Sequence, residues 1–199
     1  MADFCTVVDI ENVLQIEITD PAQLASAEMA IDLVTEAIRN RTGQQIELVE
    51  DEEITLDVAP GTRTRVFLPQ IPVIEVSAVV EDGVTLVAGT DYALGQHGIL
   101  YRLNGYWQAG VQVLAVTYSH GYATLPDDVV GVAARAASRL FQAGLKAAAS
   151  EGVPGIQATS LGDYSVTYQQ EGAAEGLLGA SGARVLLMSE MDILDKYRA

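Results

Sequence analysis

Apolar residues recur along this chain with two different periods, and the change of period divides it. Between Pro21 and Gly43, Leu24, Ala27, Ile31, Val34 and Ile38 alternate at spacings of three and four, which places them on one face of a helix. Asp20 supplies the start: its carboxylate caps free amide groups, and Pro21 occupies a position that needs no amide hydrogen. Gly43 supplies the stop, after Arg39 and Arg41, whose charges suit the negative end of a helix. From Ile46 to Tyr118 the pattern turns to β structure, with strands predicted at Ile54 to Val58, Arg65 to Leu68, Val73 to Val80 and Val111 to Tyr118. Asp82 and Gly83 between two β-branched runs predict a two-residue hairpin turn, and Gly61, Gly89, Gly95, Gly98, Gly105 and Gly110 punctuate the rest. Val111 to Tyr118 is apolar on nearly both faces, which suits a central strand covered by helices on at least one side.

Pro126 opens a further helix whose stripe, Val129, Ala133, Ala136, Leu140 and Ala143, is dominated by small side chains that let another backbone approach. Past Ala149 the texture loosens into glycines at Gly152, Gly155, Gly162, Gly172, Gly176, Gly179 and Gly182, around one strand-like run, Tyr164 to Tyr168. A last amphipathic helix is predicted over Arg184 to Tyr197, with Leu187, Met191 and Leu194 on one face and Met188 and Tyr197 broadening it. The expected fold class is α+β, with helices packed on a small, mainly antiparallel sheet and a glycine-rich C-terminal extension ending in that helix. The expected boundaries are a domain over 1–150 and an extension over 151–199. Because its stripe lies beyond a glycine tether, Leu187, Met191, Leu194 and Tyr197 are candidate partner-docking residues, with packing on the home domain the alternative.

Charge narrows the function classes. The formal net charge is -16 with a pI near 4.2, which repels phosphates and speaks against electrostatic capture of nucleic acid. Hydrophobic residues make up 49% and charged residues 19%, enough for a real core. Cys5 is the only cysteine, so an intrachain disulfide and a cysteine-rich zinc site are both excluded, and nothing calls for an oxidising compartment. Residues 1–14 carry Asp3, Asp9 and Glu11 in place of a signal peptide's basic start, and no apolar run reaches membrane-spanning length, so no membrane partner is expected.

Motifs for catalysis are missing. The chain contains neither G-x-S-x-G nor G-x-x-x-x-G-K-[ST], so the nucleophile elbow and the phosphate cradle are both absent. His97 and His120 each fall beside glycine and read as turn or surface histidines. Glu50, Asp51, Glu52 and Glu53 are consecutive carboxylates that point apart in extended chain and lack cation-loop spacing, so they read as a solvated acidic face. Asp127 and Asp128 are explained by the dipole of the helix they open. Trp107, Tyr101, Tyr106, Tyr118 and Tyr122 read as core and turn packing, with a recognition surface as the alternative. No catalytic residue, metal ligand or cofactor is assigned.

One ordered set of short motifs carries a resemblance. It begins with Leu68, Pro69, Gln70, Ile71, Pro72 and the strand from Val73 to Ser77, followed by Glu81, Asp82, Gly83, Val84 and then Gly89, Thr90, Asp91, Tyr92. It continues through Gly98 to Leu103, the lone Trp107, Val116 to Tyr118, and the step Gly121, Tyr122 into Leu125 and Pro126. Leu161 to Tyr168 and the closing Leu194 to Arg198 complete it. The order resembles the head-to-tail connector, or adaptor, family of long-tailed double-stranded-DNA bacteriophages. Coverage runs from about Asp20 to the end; the segment before Asp20 has no counterpart, and the Glu50 to Glu53 run is more acidic than the family pattern.

The resemblance implies a structural, non-enzymatic subunit of a cyclic, typically dodecameric ring in the virion. Such a ring sits between the portal protein and a tail-completion or tail-tube protein, and DNA passes through its middle without specific binding. An acidic wall suits that place, because like charge within a Debye length of about 8 Å keeps DNA centred without gripping it. Glu50, Asp51, Glu52 and Glu53 are then a candidate channel or surface face. Two other readings stand beside it: a binding or adhesion module using an aromatic sheet face around Trp107, and an enzyme whose site forms only across subunits.

Overall fold

Thr6 starts a helix that the apolar period does not mark. In the computed structural model, which describes residues 3–61, 63–149, 158–161, 164–167 and 185–198, helix α1 (Val7–Leu14) precedes the first helix expected from sequence. It is held by a capping box: the Thr6 amide donates to Asp9 Oδ2 at 2.7 Å and the Asp9 amide donates back to Thr6 Oγ1. Gln15 ends it in the left-handed region at φ 55°. Helix α2 (Pro21–Thr42) then runs as read, with Ala27, Ile31, Val34 and Ile38 buried and Gly43 closing it at φ 67°.

The chain forms two compact units. The first joins Asp3–Ile38 to Asp127–Ile193. Here α1 packs on α3 (Asp127–Ala149), whose buried side is Val129, Val132, Ala133, Ala134, Ala136, Ala137 and Phe141. A Cβ added at Gly144 of α3 would sit in ordinary contact, 3.6 Å from Ser26 Oγ of α2, so at that point the two helices meet through a side chain. The Phe4 amide donates to Thr35 Oγ1 at 3.3 Å and places buried Cys5 beside Asp3 and Asp9. Burial first, then those carboxylates, pushes the thiol from its ordinary 9.0 up to about 12, so Cys5 is a packed group with no reactive thiolate at neutral pH. Strands β8 (Ala158–Leu161) and β9 (Tyr164–Thr167) pair as an antiparallel hairpin, bearing out the short strand expected there. The tether glycines from Gly152 to Gly182, and Arg184, lie outside the described residues.

The second unit joins Arg39–Pro126 to Leu194–Ala199 and holds two antiparallel sheets. Four strands, β1 (Val49–Val58), β7 (Gly110–His120), β3 (Val73–Glu81) and β4 (Val84–Thr85), lie in the order β1-β7-β3-β4. Three more, β2 (Arg65–Phe67), β6 (Ile99–Arg102) and β5 (Tyr92–Leu94), lie in the order β2-β6-β5. As expected, the strand rich in apolar residues is central: β7 pairs with both β1 and β3. Its inward residues Leu114, Val116 and Tyr118 join Val79, Leu100, Trp107 and Tyr92 in one core. Asp82 and Gly83, at φ 47° and 79°, make the two-residue turn between β3 and β4. The chain is α+β, as its sequence pattern implied.

Two local expectations change. Leu68 falls outside β2 and is buried, its amide donating to the Gly98 carbonyl at 2.9 Å. His120 is no turn or surface residue: it ends β7, pairs in register with Val49 and Val73, and is fully buried. The turn begins one residue later at Gly121 (φ 89°), where an added Cβ would overlap the Glu47 carbonyl, so only glycine fits.

Candidate assembly surfaces

The motifs that carried the resemblance prove to be the joints of the second unit. Gln44, just past α2, clamps the proline-flanked loop: its Nε2 donates to the Pro69 carbonyl at 2.9 Å and its Oε1 accepts from the Ile71 amide at 2.8 Å. In the Gly89 to Tyr92 turn, Asp91 Oδ2 accepts from the Val87 amide, and the Asp91 carbonyl accepts from Arg102 Nη1 at 3.0 Å. Arg102 also meets Glu81 at 3.2 Å and lies over the Trp107 ring, 5.5 Å from its centre. Trp107 is 2% exposed and its amide donates to the Arg63 carbonyl. Tyr118 and Tyr92 are buried with it, and burial pushes both hydroxyls up, Tyr118 to about 12 with help from the Glu52 charge. Of the aromatic set, Tyr106 is the most exposed, at 58%. The sheet face around Trp107 is therefore core, in line with packing over recognition.

The acidic run Glu50 to Glu53 lies at the start of β1, on a sheet edge. A bulge between Val49 and Glu52, with Asp51 at φ 49°, breaks the alternation there. Glu52 turns inward and its Oε2 lies 2.8 Å from Nε2 of buried His120. Asp51 accepts from Ser77 Oγ at 2.6 Å, while its own amide donates to Ser119 Oγ. Glu50 and Glu53 are exposed and enter no ion pair among the described residues. The run thus splits into two residues that tie β1 to its neighbours and two that are free for solvent or a partner.

The C-terminal segment is divided too. Helix α4 (Met188–Leu194) carries in its first turn Glu190, 4% exposed, gripped by Arg139 of α3 through two bonds of 2.6 and 2.7 Å. The same carboxylate accepts from the Leu187 amide at 2.9 Å, which fixes the helix start. Beyond it, in the second unit, Asp195 pairs with Arg41 at 2.6 Å and Tyr197 meets the Tyr122 ring edge-on at 6.0 Å. Of the four candidate docking residues, Leu194 is fully buried, Met191 and Tyr197 are half-buried, and Leu187 is 51% exposed beside Met188 at 63%. The accessible part of the stripe is thus Leu187 with Met188. Sequence reasoning missed the anchors Arg139, Glu190, Arg41 and Asp195; the acid inside an otherwise apolar helix face at Glu190 was the available signal.

A cleft of about 350 Å³ lies in the second unit between Gln44, Ile46, Pro72, His97, Tyr122 and Tyr197. His97 sits in the turn expected for it, at φ 57°. The cleft lining holds no Asp, Glu, Ser, Thr or Cys beside it. Among the described residues no group of three or more His, Cys, Asp or Glu side chains is placed to hold a metal ion, and no helix is long and apolar enough to cross a membrane.

No curated protein sequence matches the chain. One solved structure shares its fold, and a second superposes less well. A chain of the "Neck of empty GTA particle computed with C6 symmetry" superposes with a TM-score of 0.52 at 16% identity, covering 97% of this chain and 88% of that one. A chain of the "Virion of native gene transfer agent (GTA) particle" gives 0.42 at 17% identity over 74% of each. At the level of sequence families, the head completion protein family matches residues 4–136. The match begins ahead of Asp20, so α1 belongs to the family domain although the resemblance had offered no counterpart for it. It takes in the proline-flanked loop that Gln44 clamps, the Asp82–Gly83 turn, Trp107 and Gly121; of these, the loop, the turn and the last two residues are among the positions on which the sequence likeness to phage connectors rested. With two thirds of its length matched in this way, the chain belongs to the head completion protein family.

Proposed function

We propose that this chain is one subunit of a ring at the head–tail junction of a phage particle, joining the portal protein to a tail-completion or tail-tube protein while DNA passes through the centre. The family match over residues 4–136 carries the reading. Two further observations support it: the fold is shared with a protein solved in the neck of a GTA particle, and a charge of -16 suits a wall that DNA must pass without being held. The ring is dodecameric in this reading. Residues 151–199 act as the extension of a domain over 1–150, and the C-terminal stripe docks on the portal or on a neighbouring subunit. Leu187, beside Met188, makes first contact, with Met191 and Tyr197 at its margin and Leu194 supporting it from inside. Catalysis has no part in this role, since head completion proteins are structural.

The test is assembly without the chain. Phage lacking it should accumulate heads and free tails, and adding the purified chain to that lysate should restore infectious particles. Normal joined particles in its absence would end the proposal.

A further inference from the structure

The second unit carries two exposed sheet edges of opposite charge. One is β2, the edge strand of the order β2-β6-β5, which pairs only with β6. Val66 turns inward to the core while Arg65 and Phe67, two residues apart, face outward together, and Arg63 lies exposed two residues earlier. Phe67 is 65% exposed. Arg65 stacks over Tyr101 at 5.7 Å, and neither Arg63 nor Arg65 enters an ion pair among the described residues. Arg39, Arg41, Arg102, Arg139 and Arg198 by contrast all meet carboxylates. An unpaired basic pair with an exposed phenylalanine stands out on a chain of charge -16.

The other edge is β1, outermost in the order β1-β7-β3-β4, with Glu50, Asp51 and Glu53 exposed at its start. Both edges present unpaired backbone groups, which a soluble protein leaves open only if they are protected or used. A closed ring needs a heterologous contact, made by two different patches on every subunit that fit each other but not themselves. Basic β2 and acidic β1 meet that requirement.

We propose that the Arg63, Arg65 and Phe67 strip of one subunit docks on the Glu50 to Glu53 run of the next copy of this chain, and that this contact closes the ring. The inference rests on the ring reading above and names the surfaces that reading leaves open. Charge selects the partner edge and sets the register, while Phe67 supplies apolar contact.

Charge exchange tests it. The full-length chain is prepared as wild type, as R63E/R65E and as E50R/E53R; these substitutions leave the Glu52–His120 and Asp51–Ser77 contacts alone. Wild type should self-associate as concentration rises from micromolar to millimolar, and added salt should weaken this. Each variant alone should remain a monomer. An equimolar mixture should recover assembly, with native mass spectrometry showing the two variants alternating in even-numbered rings. If either charge-reversed pair unfolds, R63Q/R65Q replaces it, with weakened association at an unchanged melting temperature as the expected result. R63E/R65E assembling like wild type would overturn the docking and leave the ring reading standing, as would intact assembly with lost affinity for duplex DNA, which would make the strip a nucleic-acid contact. A wild-type chain that never self-associates would overturn both.

Discussion

The two units bury different kinds of surface. The sheet unit is built on large side chains, Leu100 of β6, Leu114 and Tyr118 of β7, and Trp107 of the loop between those strands. The helical unit also buries large ones, Phe4, Ile10, Ile38 and Phe141, but sets beside them runs of small residues, Ala133, Ala134, Ala136 and Ala137 in α3 and Ala27 and Ala30 in α2. A core of large residues loses most when one is truncated, because the cavity left behind collapses only in part. A core of small residues has little to lose by truncation and much to lose by enlargement, because close-packed backbones have no room to give.

That contrast orders the expected effects. Trp107→Ala should cost about 3 to 5 kcal/mol in chemical denaturation, the largest single loss, since it empties the sheet core and removes the surface under Arg102. A loss below that of an exposed substitution would mean that the core does not centre on this residue. Ala133→Leu should cost about 1 to 3 kcal/mol by overpacking, whereas Ala133→Gly should cost about 1 kcal/mol, the ordinary helix penalty. If the leucine were tolerated, there would be more room beside α3 than the full burial of Ala133 indicates.

Alkaline pH probes both units at once. Cys5 in the helical unit and Tyr118 in the sheet unit each have a folded pKa pushed up to about 12, from ordinary values of 9.0 and 10.0. The unfolded chain therefore releases these protons first. The stability they contribute is complete below about pH 9 and is lost as pH rises toward 12. The melting temperature should fall over that window, and Cys5→Ala should flatten the lower part of the fall. An identical pH profile for the variant would show that the thiol is not shielded.

The smallest stability effect is expected for Leu187→Asp, within about 0.5 kcal/mol of wild type, because the side chain is half in solvent. The same change should abolish incorporation into particles if this residue makes the docking contact. Leu194→Asp, at a fully buried position, should instead unfold the protein. Equal behaviour of the two variants would erase the division of the stripe.

Local signals were legible in the sequence, and long-range pairings were not. The α2 stripe, the Asp82–Gly83 turn and the central β7 strand are each written in consecutive residues, so period and turn chemistry suffice to find them. His120 stands beside a glycine and looks like a turn, because the partner that buries it, Glu52, lies 68 residues away. The C-terminal stripe looked detachable for the same reason: Arg139 and Glu190 are 51 residues apart, and Arg41 and Asp195 are 154 apart. No window of sequence contains both halves of such a pair. Helix α1 was hidden differently, since eight residues hold too few apolar positions to show a period; its Thr6 and Asp9 capping box was the readable mark. The acidic run was read as one face, and the bulge at Asp51 divides it.

Cryo-electron microscopy of phage particles carrying this chain bears most directly on the central claim. The chain should form a closed ring at the neck, between the portal vertex of the head and the first tail protein, with its α+β domain fitting the density in every subunit. Density for the chain at another part of the particle, or its absence from assembled particles, would contradict a head–tail connector role.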